Sequence, residues 1–133
     1  MNDKAVWLAI SLMIASPGVL ADAVAELQAR YRAQGATVFD PQAGKAIWYG
    51  TFAVPEGGKQ RSCTNCHTDD LKKRGRHVRT RKPIEPMAPS VNPKRLTDAK
   101  KIEKWLLRNC KWTLGRECTP QEKGDLLEFL RNQ

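Results

Sequence analysis

The chain has 133 residues, with 23 Lys and Arg against 14 Asp and Glu, so its formal net charge is +9. A chain of this length forms one domain with a modest core, which excludes a multidomain architecture. Its basic balance favours acidic partners or an anionic membrane surface.

The N-terminal residues have the features of a secretory signal. Lys4 precedes an apolar run over residues 5–15, and Pro17 ends it before the small residues that lead to Ala21. The run is too short to span a bilayer, which takes about 20 residues. We expect a signal peptide over residues 1–21, with cleavage after Ala23 as the alternative. Its removal takes away one Asp and one Lys, so the charge of the mature chain stays +9.

Two helices are predicted before residue 51. The first covers residues 22–34 and ends at Gly35. The second begins at Asp40-Pro41, a cap followed by a first-turn proline, and ends near Gly50. Residues 51–62 are predicted to form a polar loop.

Residues 63–67 read Cys63-Thr64-Asn65-Cys66-His67, the C-x-x-C-H signature of covalent haem c attachment. The two thiols bond to the porphyrin, and the imidazole of His67 becomes the proximal iron ligand. A zinc site would need a second closely spaced ligand pair, and a thioredoxin-like pair would need a βαβ context. Because bacteria attach haem outside the cytoplasm, motif and signal together predict a periplasmic protein whose mature form does not span the membrane.

The rest of the chain is predicted to be a loop and two helices. Residues 68–96 contain four prolines and no sustained period. A helix follows from Thr97-Asp98 to about Cys110, and the last helix begins at the capping box 119–122. With no strand pattern, the sequence predicts an all-α fold over residues 22–133. It resembles a class I cytochrome c, in which Gly44 and Trp48 would pack against residues 126–130.

Three residues are candidates for the sixth iron ligand. Met87 lies in a proline-rich loop, where electron-transfer cytochromes place an axial thioether, although it would equally pack on the porphyrin edge. His77 stands among seven cations in residues 72–82, which favours a solvated loop histidine. Asn109 follows Ile102, Trp105 and Leu106 at helical spacing, which predicts a core-facing amide. Trp105 on that face is predicted to contact the haem. On pattern alone Met87 ranks above Asn109.

The two remaining cysteines, Cys110 and Cys118, change this ranking. In an oxidising compartment they favour a disulfide over two free thiols. Such a bridge would lie directly beside Asn109.

Several runs of the sequence resemble the sphaeroides haem protein family, oxygen-binding c-type cytochromes. They are Cys63 to His67, Ala88-Pro89-Ser90, Thr97-Asp98, Glu103 to Cys110, Gly115 to Pro120 and Lys123 to Leu127. The resemblance implies that Asn109 is the sixth ligand and that Cys110 and Cys118 are bridged. One departure is Met87, because the family carries an apolar residue such as leucine there.

The resemblance also implies a mechanism. An amide oxygen binds ferrous iron poorly, so Asn109 would leave on reduction and then donate a hydrogen bond to O₂, CO or NO. The expected electron donor is a dihaem cytochrome c or a similar acidic protein, docking on residues 72–82; a nucleic acid is not an expected partner. Two functions stay open. The first is a gas-binding haem protein, and the sequence does not decide whether it also turns over O₂ or NO as an enzyme. The second is an electron carrier with Met87 as the sixth ligand.

Overall fold

The computed structural model describes residues 22–54 and 57–133, so the predicted signal peptide lies outside the described residues. Within these ranges the helices are Ala23–Ala33 (α1), Pro41–Tyr49 (α2), Thr64–His67 (α3), Ala99–Leu114 (α4) and Pro120–Arg131 (α5). The strands are Phe52–Ala53 (β1), Gln60–Arg61 (β2), Gly75–Arg76 (β3) and Pro83–Ile84 (β4). The described chain is predominantly helical, as the sequence predicts. None of its helices has the length and apolar character needed to cross a membrane.

Side-chain caps explain where the helices begin. The carboxylates of Asp22, Asp40 and Asp98 accept hydrogen bonds from first-turn N–H groups of α1, α2 and α4. Thr119 and Glu122 form a reciprocal capping box at α5. The predicted first residues of these helices are confirmed. The sequence could predict them because capping depends on residues that are neighbours along the chain.

Helices α2 and α5 cross at very short range. A Cβ atom added to Gly44 would lie 2.0 Å from the backbone oxygen of Asp125 and 2.9 Å from Cβ of Phe129. Only glycine allows this approach. One turn later Trp48 packs on Phe129, with ring centroids 6.5 Å apart. The predicted contact of Gly44 and Trp48 with the last helix is confirmed.

The buried side chains form two clusters. The scaffold cluster lies between α1, α4 and α5 and comprises Ala23, Val24, Leu27, Tyr31, Phe39, Ile102 and Leu127. The motif cluster lies towards the C-x-x-C-H segment and comprises Trp48, Leu71, Ala88, Cys110, Cys118, Leu126, Phe129 and Leu130. The half-buried Leu106 packs against both clusters.

The predicted loops over residues 51–62 and 68–96 each contain a short antiparallel ladder. The prediction that the chain has no strands is therefore wrong. In the first, β1 pairs with β2 and Phe52 lies opposite Arg61. In the second, β3 pairs with β4 and Gly75 lies opposite Ile84. Two-residue strands are too short to show an alternating pattern, and tertiary contacts select them.

Helix α4 continues four residues beyond its predicted end at Cys110. It stops where Gly115 adopts a φ of +74°. A left-handed glycine is a common helix terminator, since it carries no Cβ.

Candidate functional site

The two cysteines and the histidine of the C-x-x-C-H motif lie on one short helical turn. The N–H groups of Cys66 and His67 donate to the carbonyl oxygen of Cys63 at 3.2 and 3.1 Å. Asn65 fixes the N-terminal end of the turn, since its side-chain oxygen accepts a hydrogen bond from the N–H of Ser62 at 2.8 Å. Both cysteines are half-buried free thiols. Their side chains and the imidazole therefore project from a single turn.

The imidazole of His67 is held in a mostly apolar site. Its ring centroid lies 5.2 Å from that of Trp48. Burial, with a smaller contribution from the positive charge of Arg95, lowers the pKa of His67 to about 4. The ring is therefore neutral at pH 7, which is the protonation state that binds a metal.

Beside His67, the indole N–H of Trp48 is a buried donor without a partner. It is the one such side-chain atom within residues 22–54 and 57–133. A buried donor normally has an acceptor, so an acceptor from outside the protein would satisfy it. A haem carboxylate is such an acceptor. Together with two thiols and a neutral imidazole, this donor fits the predicted haem c.

Helix α4 lies against the first cysteine of the motif. Burial raises the pKa of Cys63 to about 11 and outweighs the opposite effect of the buried Thr113 side chain, which lies beside it. Nearby, the guanidinium of Arg61 donates to the carbonyl oxygen of Trp112 at 2.9 Å. The C-terminal half of α4 is thereby fixed to the segment that enters the motif.

Asn109 lies one helical turn before Thr113, on the same side of α4. The described protein atoms leave Asn109 exposed and Trp105 44% exposed, so the contacts of both residues with the haem stay predictions. The residues of α4 that the protein itself buries are Ile102, Cys110 and Thr113.

A disulfide joins Cys110 to Cys118, as the leftover cysteines predict, with Cα atoms 5.6 Å apart. Both residues are buried in the motif cluster. The bridge ties the last turn of α4 to the start of α5, and Asn109 directly precedes it.

Met87 is half-buried and packs on the motif cluster, as does Cys63. Its loop is well anchored, since the N–H groups of Met87 and Ala88 donate to the carbonyl oxygen of Leu71 at 2.9 and 3.0 Å. The half-buried guanidinium of Arg95 donates to the carbonyl oxygen of Pro86 at 2.8 Å. These bonds therefore hold the Met87 loop against the motif cluster.

Residues 72–82, the basic segment, contain β3, the residues before it and the turn that leads to β4. Within it, Nδ1 of His77 accepts the N–H groups of Arg79 and Thr80 at 3.3 and 3.1 Å. His77 is thus a turn residue, as its sequence context favours. The segment reaches the motif through Gly75, where an added Cβ would lie 2.0 Å from the backbone oxygen of Cys66.

Sequence reasoning missed Gly75, Arg95, Thr113 and the unpaired Trp48 donor. Their roles depend on tertiary contacts, and a glycine within a cationic run gave no local signal.

Three comparisons with known proteins agree with this geometry. A family described as "Domain of unknown function (DUF1924)" matches residues 34–130. The chain is 42% identical to the cytochrome c-type protein SHP of Cereibacter sphaeroides, over 96% of this chain and 98% of that protein.

Two solved structures are also similar. Oxidized SHP, described as an oxygen binding cytochrome c, has a TM-score of 0.72 at 43% identity and covers 83% of this chain and 96% of its own. Oxidized cytochrome c'' from Methylophilus methylotrophus has a TM-score of 0.71 at 32% identity and covers 84% and 94%.

Proposed function

Because the chain belongs to the family of the cytochrome c-type protein SHP, as its sequence runs predict, we propose that it is an exported monohaem cytochrome that binds diatomic gases. In this proposal Asn109 would be a labile ligand of the iron that is lost on reduction. The description of the solved relative as oxygen binding supports the gas-binding part. The signal-like residues 1–21 support export to the periplasm.

The cofactor is haem c, held by Cys63 and Cys66 with His67 as the proximal ligand. When bound, haem supplies an iron that changes oxidation state and offers a position for a diatomic ligand. The protein supplies a neutral imidazole, because the pKa of His67 is lowered to about 4. It also supplies the N–H of Trp48 for a haem carboxylate.

The position of Asn109 carries the gas-binding proposal. Its exposed side chain has no hydrogen-bond partner among the described residues, and it lies one turn from Thr113, which contacts Cys63. The adjacent disulfide fixes the end of its helix. An amide oxygen is a weak, hard ligand that ferrous iron binds poorly. Once displaced, the amide can donate an N–H to a bound diatomic.

Ferric absorption spectra of matched variants test this ligand. Weak amide ligation predicts a largely high-spin spectrum. Asn109→Val should leave the iron open and change the release rate of ligands, whereas Met87→Leu should change little. Equal spectra for wild type and Asn109→Val would contradict the proposal.

A second candidate function is electron transfer with Met87 as the sixth ligand. The half-burial of Met87 against the same cluster as Cys63 favours it. It predicts a low-spin protein with a methionine–iron charge-transfer band that disappears in Met87→Leu and persists in Asn109→Val.

The proposed electron donor is an acidic redox protein such as a dihaem cytochrome c, docking on the basic segment. Most of that segment is exposed, and its ion pairs Lys73–Asp70 and Arg74–Glu85 leave several cations available. The second-order rate of reduction by a dihaem cytochrome c should fall with ionic strength. It should fall further in Lys72→Gln/Lys73→Gln, while Lys100→Gln/Lys101→Gln at the start of α4 is the matched control. A reduction rate that changes neither with ionic strength nor with either pair of substitutions would show that the basic segment does not dock the donor.

A further inference from the structure

A cavity of about 490 Å³ opens between the end of α3 and the β3–β4 hairpin. The residues that matter for its chemistry are Asn65, Cys66, Thr68, Arg74, Arg76 and Arg81. The basic segment proposed above as a docking face contributes Arg74, Arg76 and Arg81 to this cavity, which we name the arginine cleft. Its wall includes the second cysteine of the motif.

The arginine cleft has an excess of positive charge. Arg74 is neutralised by Glu85, with nitrogen–oxygen distances of 2.9 and 3.2 Å. Arg76 and Arg81 have no carboxylate partner in the described part of the chain. Arg76 is oriented by donating to the backbone oxygen of Arg81 at 2.9 Å. Two guanidinium charges thus share one concave site.

Two residues of the cleft have a strained backbone. Thr68 has φ +64° and ψ 175°, a region essentially limited to glycine. Arg81 has φ +60°, where glycine or asparagine is usual. A long or branched side chain at such a position raises the conformational free energy of the folded protein. Strain of this kind concentrates at functional sites.

The cleft is also rigid. The β3–β4 ladder pairs Arg76 with Pro83, and the turn beyond it is held by the His77 ring nitrogen. On the opposite wall, Gly75 is seated against the carbonyl of Cys66. The backbone that carries the arginines is therefore fixed before a ligand binds, and only their exposed side chains need ordering.

We propose that the arginine cleft binds a small free oxyanion carrying two negative charges. Guanidinium groups bind phosphate-like and carboxylate oxygens bidentately, and two uncompensated arginines match a dianion in charge. Because Cys66 forms one wall, an anion here lies close to the haem attachment point. It binds the ferric protein more tightly than the ferrous one, since the ferric centre is more positive.

Calorimetric titration of the ferric holoprotein tests the site, with inorganic sulfate and malonate as separate probes at constant ionic strength in sodium chloride. We expect saturable binding that falls at least tenfold in Arg76→Gln and in Arg81→Gln. Arg79→Gln is the matched control, since Arg79 belongs to the same turn but does not line the cleft. Preference for sulfate over malonate would indicate a tetrahedral oxyanion, and the reverse a dicarboxylate.

Two further readouts separate a site from general electrostatics. Saturating anion should lower the midpoint potential, and a tenfold preference for the ferric form corresponds to about 59 mV for one electron. Arg81→Gly should lose anion affinity yet raise the thermal midpoint, because glycine relieves the positive φ. Equal losses in Arg79→Gln and Arg81→Gln, or no saturable binding of either probe, would overturn the proposal. Neither result depends on whether Asn109 or Met87 binds the iron.

Discussion

The two buried clusters differ in how their polar groups are satisfied. Around the scaffold cluster the partners come from the protein itself: the Tyr31 hydroxyl donates to Glu103, and Asp125 accepts from the Asp40 N–H and the Gln121 amide at 2.8 Å each. Beside the motif cluster, the buried Trp48 donor has no such partner among the described residues. One region is complete as a protein core, whereas the other is built around haem chemistry. Substitutions in the two regions should therefore have different effects.

The largest effect is expected in the scaffold cluster. Leu127 is 1% exposed, so Leu127→Ala should lower the free energy of unfolding by about 3–4 kcal/mol through lost burial and a cavity. Its ferric spectrum should stay unchanged. Urea unfolding of the holoprotein measures the first quantity, and Leu107→Ala, at a site 39% exposed, is the control expected to change it by about 0.5 kcal/mol or less. An altered spectrum in Leu127→Ala would show that the two regions are not separable.

Removal of the disulfide comes next. Cys110→Ala/Cys118→Ala should destabilise the protein by about 2–3 kcal/mol, since the bridge closes a short loop. It should also loosen the end of α4 and so accelerate ligand exchange at Asn109. Stopped-flow CO binding measures that rate. An unchanged rate of CO binding would show that the disulfide does not affect ligand exchange at Asn109.

Trp48→Phe probes the unpaired donor of the motif cluster. If a haem carboxylate accepts this N–H, its loss should destabilise the holoprotein by about 1–2 kcal/mol. Phenylalanine is smaller than tryptophan, so the substitution also destabilises the protein through lost packing, whether or not the N–H has a partner. Urea unfolding at several pH values distinguishes the two cases, because the hydrogen-bond contribution disappears when the haem carboxylate is protonated, whereas the packing loss does not depend on pH. The matched control is Trp112→Phe on α4, outside both clusters.

The smallest effect concerns the cap of α5, which belongs to neither cluster. A hydrogen bond from Arg116 is the main cause that lowers the pKa of Glu122. A lowered carboxyl pKa stabilises the fold above the pKa of the unfolded chain, and this contribution is lost as the pH falls through the lowered value. Glu122→Gln should lower the free energy of unfolding by less than about 1 kcal/mol at neutral pH, because the pair is partly exposed. The difference should shrink in acid; a constant difference would exclude the ion pair as its source.

The sequence predicts features that depend on neighbours along the chain. The starts of α2 and α5 follow from Asp40-Pro41 and the Thr119 capping box, and the motif turn follows from C-x-x-C-H. Even the extension of α4 had a local signal in Gly115.

The features that the sequence did not predict depend on tertiary contacts. The β3–β4 ladder exists where Gly75 fits against Cys66, and no sequence pattern encodes that contact. The burial of Cys110 and Thr113 on α4 depends on contacts of the same kind. A helical period gives the width of an apolar face, whereas packing against α1 and α5 decides which edge of that face is buried.

The most direct test of the account is the absorption spectrum of the reduced protein before and after addition of CO. Displacement of a labile Asn109 predicts rapid and complete formation of the CO complex at a rate proportional to CO concentration. A ferrous spectrum that CO leaves unchanged, in a protein that keeps a methionine–iron band when oxidised, would contradict the account. It would assign the chain to electron transfer through Met87.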